Sequence, residues 1–171
     1  MSLDRDVLRR ELADGAATIR ALVAGVSPEE ARLRPTPGAW SMLEVVCHLH
    51  DEEREDFRPR LDLVLNRPAD PWVPIDPAGW VMARRYNERD LAESLAGFLA
   101  ERERSLAWLG ALPAPDWSRA YAAPFGSIAA GDLAASWPAH DLLHSRQLLE
   151  LRWARWAPLT APHRTAYAGD W

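Results

Sequence analysis

His140 and His144 stand four residues apart in a stretch, 131–156, whose apolar periodicity reads as one long helix. Residues at i and i+4 stack on one helix face about 6 Å apart, so both imidazoles can point at one ion with little further ordering. His48, in a second helical stretch, is a third candidate ligand. Three neutral imidazoles with one position left open form a catalytic type of metal site, in which a bound water becomes acidic enough to attack near neutral pH. The inward stripe of the last helix reads Leu133, Trp137, His140, His144, Leu148, Leu151, so the pair occupies places where leucine would ordinarily sit. Burying two imidazoles is costly unless each ring nitrogen finds a partner. A metal would be such a partner; carboxylates, or water reaching one of the rings, are the other solutions. No glutamate lies inside the pair, so the zinc-protease pattern His-Glu-x-x-His is absent.

His48 shares a face with Glu44, Asp51 and Glu52. Asp51 or Glu52 could complete a coordination sphere, orient a bound water or act as general base. The rest of the acidic run, Glu53 to Asp56, reads as a solvated face, and His50 should point outward, about 200° around the helix from His48. Asp141 projects about 100° away from His140 and suits a supporting or interface role better than ligation. Gln147, three residues after His144, lies on the same side of the helix, where it could hydrogen-bond a substrate or a polar group supporting the site, or equally make a plain interhelical contact. Cys47 reads as a small buried apolar residue. Pro138 removes one helical hydrogen bond and should bend the last helix. His163, in a proline-flanked tail, reads as exposed and uninvolved.

The elements that must position these residues are helical. The first stretch, 3–23, carries Leu8, Leu12, Ala16, Ile19 and Val23 on one stripe and ends at Gly25. Ser27-Pro28-Glu29-Glu30 starts a short extra turn. Ser41 and Glu44 make a capping box for the helix that carries His48, with Trp40 and Val45 as its hydrophobic staple. Pro59 should kink that helix or force it to restart. A third helix should begin between Trp80 and Asn87 and run to Leu109, with Leu91, Leu95, Phe98, Arg102, Leu106 and Leu109 inward. Residues 69–79 and 112–126 read as proline-rich connections, and no alternating β-branched run predicts a strand. Four long amphipathic helices joined by one or two long connections predict an all-α four-helix bundle, with 1–171 as one domain.

Composition narrows the function. A net charge of −5 argues against a nucleic-acid partner, which needs a basic face. One cysteine excludes an intrachain disulfide and fits a reducing compartment. With a charged N-terminus and no apolar run long enough to cross a bilayer, the expectation is a cytoplasmic protein with no membrane partner and a small-molecule substrate. Nine tryptophans are a high count, best read as core or dimer-contact residues.

The stretch Thr36-Pro-Gly-Ala-Trp-Ser-Met-Leu-Glu-Val-Val-Cys-His-Leu-His-Asp, the pair Tyr86-Asn87, and Ala139-His-Asp-Leu-Leu-His-Ser-Arg-Gln-Leu resemble, in order and spacing, the motifs of the DinB/YfiT-like superfamily of metal-dependent enzymes. The resemblance implies an up-down-down-up four-helix bundle, often a homodimer. It implies a divalent ion, zinc or nickel foremost, held by His48, His140 and His144. It also implies hydrolase chemistry or transfer to a low-molecular-weight thiol. Two other readings remain at this stage: a non-catalytic metal-binding stress or interaction module with Glu52 or Asp51 closing the site, and a metal-free bundle working through tryptophan-rich contacts.

Overall fold

The computed structural model describes residues 3–171, which form seven helices and one short hairpin. Helix α1 (Arg5–Val23) opens where the Asp4 carboxylate accepts from the backbone N–H groups of Asp6 and Val7, and it buries the five apolar residues of its expected stripe. Gly25, at φ +72°, ends it in a conformation that side chains disfavour. A single turn, α2 (Pro28–Ala31), follows behind the Ser27–Glu30 capping box. Helix α3 (Met42–Glu52) begins at the expected Ser41–Glu44 capping box.

Pro59 does not kink the next helix sharply. Residues Glu53–Phe57 instead widen into one π-helical turn, after which α4 (Arg58–Asn66) continues with the proline in its first turn. The missing N–H of Pro59 thus falls where a helix start has no bond to lose. The widened turn shifts the faces of the helix, and it corrects one sequence expectation: Glu53, read as solvated, is 1% exposed, beside Asp51 at 1% and Glu52 at 4%.

The expected third helix is two. A short α5 (Pro77–Ala83) and a 3₁₀ turn at Tyr86–Glu88 precede α6 (Leu91–Ala111). The break sits at Arg85, which adopts a left-handed conformation, and at Asp90, whose carboxylate caps α6 through the Glu93 N–H. A second difference is an antiparallel hairpin, β1 (Ala120–Ala123) with β2 (Gly126–Ala129), where a loop was expected. Its strands are alanine-rich and give no β-branched signal. The hairpin is tied down by Tyr121 Oη donating to the Asp70 carbonyl and by the Ala130 N–H donating to the Arg119 carbonyl. Helix α7 (Ala130–Leu159) is longer than the 131–156 expected and holds both Pro138 and Pro158. Its start lacks a serine or threonine cap; Asp132 accepts from the Ala129 N–H in its place.

Side-chain pairings fix the helix directions. Cys47 meets Ser94, Glu53 meets Arg102 and Arg58 meets Ser105, so α3–α4 runs parallel to α6. Arg9 reaches the Leu106 carbonyl and Arg102 the Leu12 carbonyl, so α1 is antiparallel to α6. Gly15 lies against Asp141 and Arg152 bonds the Leu22 carbonyl, so α7 runs with α1. The result is the up-down-down-up four-helix bundle.

Its core has two main apolar layers. One is built on Leu8, Leu12, Leu61, Leu109 and Trp137, the other on Ile19, Val45, Phe98 and Leu148. Between them Arg102, 2% exposed, extends across the bundle. Its Nε and one terminal nitrogen donate to the two oxygens of Glu53, both terminal nitrogens donate to Asp141, and one donates also to the Leu12 carbonyl. All five guanidinium hydrogens are therefore used. Trp137 Nε1 donates to Glu53 at 2.8 Å, and a side chain at Gly15 would strike Asp141.

Arg102→Leu would leave two buried carboxylates facing each other without a cation. It should lower unfolding stability by about 3–5 kcal/mol in urea denaturation. A loss under about 1 kcal/mol would show that this ion cluster is not what joins the layers.

Candidate metal centre

One turn from that ion cluster, on the α3–α7 side, the three histidines converge. His48 comes from α3, and His140 and His144 come from successive turns of the antiparallel α7. The Nε2 atoms of His48 and His140 are 3.3 Å apart, and those of His140 and His144 3.1 Å apart. Three ligand nitrogens about 2.0–2.1 Å from a tetrahedral ion would lie about 3.3 Å from one another. Among the described residues no cysteine, aspartate or glutamate joins this group as a fourth donor.

The hydrogen-bond chemistry of the cluster also fits an ion. His144 Nδ1 lies 2.8 Å from Gln147 Oε1, which can only accept, so Nδ1 carries the proton and Nε2 presents a lone pair. His140 Nε2 faces two neighbouring ring nitrogens yet can donate at most one hydrogen. The Nδ1 of His48 is buried without a partner. Protein groups alone do not satisfy this cluster, and a cation at the shared point would take up the lone pairs that now face one another.

Electrostatics keep the rings in the ligand form. Burial, and then the neighbouring imidazoles, push His48 and His140 down to about 3; burial lowers His144 as well. All three are therefore neutral at physiological pH. Aromatic walls supply the desolvation: the Trp40 ring is 4.9 Å from that of His48 and lies parallel to that of His144, and Phe57 is 5.1 Å from His140. Neither wall was picked out from the sequence as part of the site. The sequence marks Trp40 as a helix staple and as one of the core or dimer-contact tryptophans, and Phe57 reaches His140 from the π-helical turn, which no periodicity announces.

The other candidate residues divide. Gln147 is in place beside His144. Glu52, one turn beyond His48, is buried with Oε1 unpartnered, and burial together with the adjacent Asp56 pushes its carboxyl up to about 9. It is held protonated at neutral pH. Asp51 is not brought to the cluster: its oxygens accept from Arg54, Arg84 and the Tyr86 hydroxyl at 2.6–3.0 Å. Tyr86 and Asn87 prove to be supports for α3, since Ser41 Oγ donates to Asn87 Oδ1 at the helix cap. Asp141 turns away from the histidines to Arg102. His50 corrects an expectation: it is half-buried, because Gly97 on α6 leaves a slot for its ring. Cys47 is buried with its thiol pushed up by burial, and His163 is exposed, both as expected. An open cleft of about 580 Å³ lies against His144, Gln147 and Trp40.

The DinB superfamily pattern matches residues 11–148, a span that contains all three histidines. Among solved structures, YfiT from Bacillus subtilis aligns with a TM-score of 0.77 over 88% of each chain at 21% identity. It is described as a probable metal-dependent hydrolase with an unusual four-helix bundle topology. At that identity the likeness is one of fold. Among curated proteins none matches significantly.

An unfolded histidine takes up its proton near the ordinary value of 6.5, whereas the folded rings of His48 and His140 resist until about 3. The unfolded state thus binds more protons in that window, and the contribution of these rings, complete above pH 6.5, is lost as pH falls toward 3. Ion-free protein should accordingly unfold at progressively lower urea across this range. His140→Gln should show a shallower fall than its parent, and equal slopes would contradict the assignment.

Proposed function

The chain belongs to the DinB superfamily, and from that membership and the histidine geometry we propose that it is a metal-dependent hydrolase whose divalent ion, zinc or nickel, is held by His48, His140 and His144. The observation that carries this reading is the convergence of three neutral imidazoles, with His140 Nε2 at 3.3 Å from that of His48 and 3.1 Å from that of His144 and all three ligand atoms within 4.8 Å, and no fourth acidic or thiol donor among the described residues. That arrangement leaves a position open, as a catalytic site requires and a purely structural one does not. When bound, such an ion acts as a Lewis acid and lowers the pKa of a water at its open position.

This chain's own residues supply the rest. Gln147 accepts from His144 Nδ1, fixing the ring so that Nε2 faces the site. Trp40 and Phe57 pack against the imidazoles and, by burying them in part, favour their neutral form. Glu52, one turn beyond His48 on the same helix and favoured in its protonated form by burial and by Asp56, is the proposed proton donor to a departing alkoxide or amine. Asp51 serves as a positioning residue: it ties α3 to Arg84 and Tyr86, and so holds the helix that presents His48. A low-molecular-weight thiol is the alternative occupant of the open position, which would make the reaction a transfer. The subunits pair through the outer face of α7, where Leu142, Leu149 and Trp156 are exposed in one seven-residue register.

Elemental analysis of untagged protein should find about one divalent ion per chain, lost in His144→Ala. Glu52→Gln should keep the ion and lower kcat on ester or amide substrates by about 10²–10⁴-fold. Running the assay with and without added thiol separates hydrolysis from transfer. No ion in the parent, even after reconstitution, would overturn the reading. Sedimentation should give a dimer that Leu149→Glu dissociates; a parent that sediments as a monomer would remove the proposed pairing.

A further inference from the structure

The cleft beside His144 does not end there. A second cleft of about 490 Å³ lies further along α7, and Pro35, Leu151 and Ala154 line both. On α7 the lining residues recur as His144, Gln147, Leu151, Ala154 and Pro158, steps of three and four that keep to one helix face. From first to last this face is ~21 Å long at ~1.5 Å per residue.

Its chemistry changes along the way. At the inner end stand His144, Gln147 and Glu150; beyond Leu151 the lining is mostly apolar, with Met42 beneath, Leu33, Pro158 and Leu159 toward the far end, and Glu30 at the border. Leu33 and Leu159 are 64% and 62% exposed, large apolar groups that no described residue covers. Two arginines also border the second cleft, but Arg34 is paired with Glu44 and Arg155 with Glu30. No unpaired cation there calls for an anionic group. A groove that is polar at the histidines, apolar beyond them and neutralised at its arginines matches one kind of ligand: a polar reacting group on an uncharged chain.

We propose that this groove holds the extended apolar chain of the substrate, an acyl or alkyl compound whose reacting group lies at the three histidines. The assignment rests on the hydrolase reading of that site and names the substrate class it would take. The chain would lie between α7 and residues 33–40, covering Leu33 and Leu159.

A series of acyl hydroxamates from acetyl to decanoyl, which place a metal-binding head on a lengthening chain, tests it by calorimetric titration of zinc-loaded and chelator-treated protein. Affinity should rise about two- to fourfold per added methylene in both forms. Ala154→Trp, a change at an exposed position that fills the shared wall, should flatten the series and leave acetohydroxamate binding unchanged. A series that is flat in the parent, or indifferent to Ala154→Trp, overturns the groove assignment. Failure of the metal reading looks different: loaded and treated protein would bind every hydroxamate equally, with the dependence on length retained. A flat series together with a dimer that Ala154→Trp dissociates would give the groove to a second copy of the chain, which also overturns the proposal.

Discussion

A single buried cation, the guanidinium of Arg102, sets the terms for the rest of the bundle. It has five hydrogens to place and no water to place them in, so every helix must bring an acceptor to one level: α1 the Leu12 carbonyl, the π-helical turn Glu53, and α7 Asp141. Charges in an interior are tolerated only when paired and fully hydrogen-bonded. That requirement explains features which would otherwise look like defects. Glycine stands at position 15 because the Asp141 carboxylate needs the space. The second helix widens into a π turn where Glu53 must face inward. Trp137 turns its indole nitrogen to the spare lone pair of Glu53. A greasy core can slip by a turn at little cost, but a fork of five directed bonds cannot, and the register of α7 against its neighbours is thereby fixed.

The histidines inherit that register. Asp141 is the residue after His140, so the bond that locks it to Arg102 also sets the rotation at which His140 and His144 leave the helix. On the other side His48 is held by the capped start of α3, where Ser41, Glu44, Arg34 and Asn87 form one connected polar cluster. Two rigid supports thus face each other across the site, and the three ring nitrogens meet without any loop between them. Aromatic rings, Trp40 and Phe57, then wall the imidazoles on two sides. The cluster is neutral because burial and the neighbouring imidazoles disfavour the charged form, and neutral imidazole is the form that binds metal.

Much of this was legible in the sequence, for identifiable reasons. The capping boxes at Ser27 and Ser41 are local chemistry and read directly. The stripe of α1 follows the helical period with no exception, and the spacing of His140 and His144 needs only the helix repeat. What escaped was non-local. The run Asp51 to Asp56 has the composition of a solvated face, and only the partners Arg102, Arg84 and Tyr86, more than thirty residues away, draw its first members inside. His50 looked external until Gly97 supplied a slot. The hairpin is held by its contacts to Asp70 and Arg119 rather than by strand propensity, so its alanines gave no sign of it. Where local chemistry and tertiary contacts agree, the chain could be read; where a distant partner decides, it could not.

The central claim is that three imidazoles hold one ion and leave part of its sphere open. X-ray absorption at the metal edge of loaded protein tests it most directly. The account predicts three nitrogen ligands at about 2.0–2.1 Å with imidazole scattering behind them, together with one oxygen ligand that exchanges with solvent. A sphere filled by protein carboxylates, or an all-oxygen shell without imidazole scattering, would contradict it.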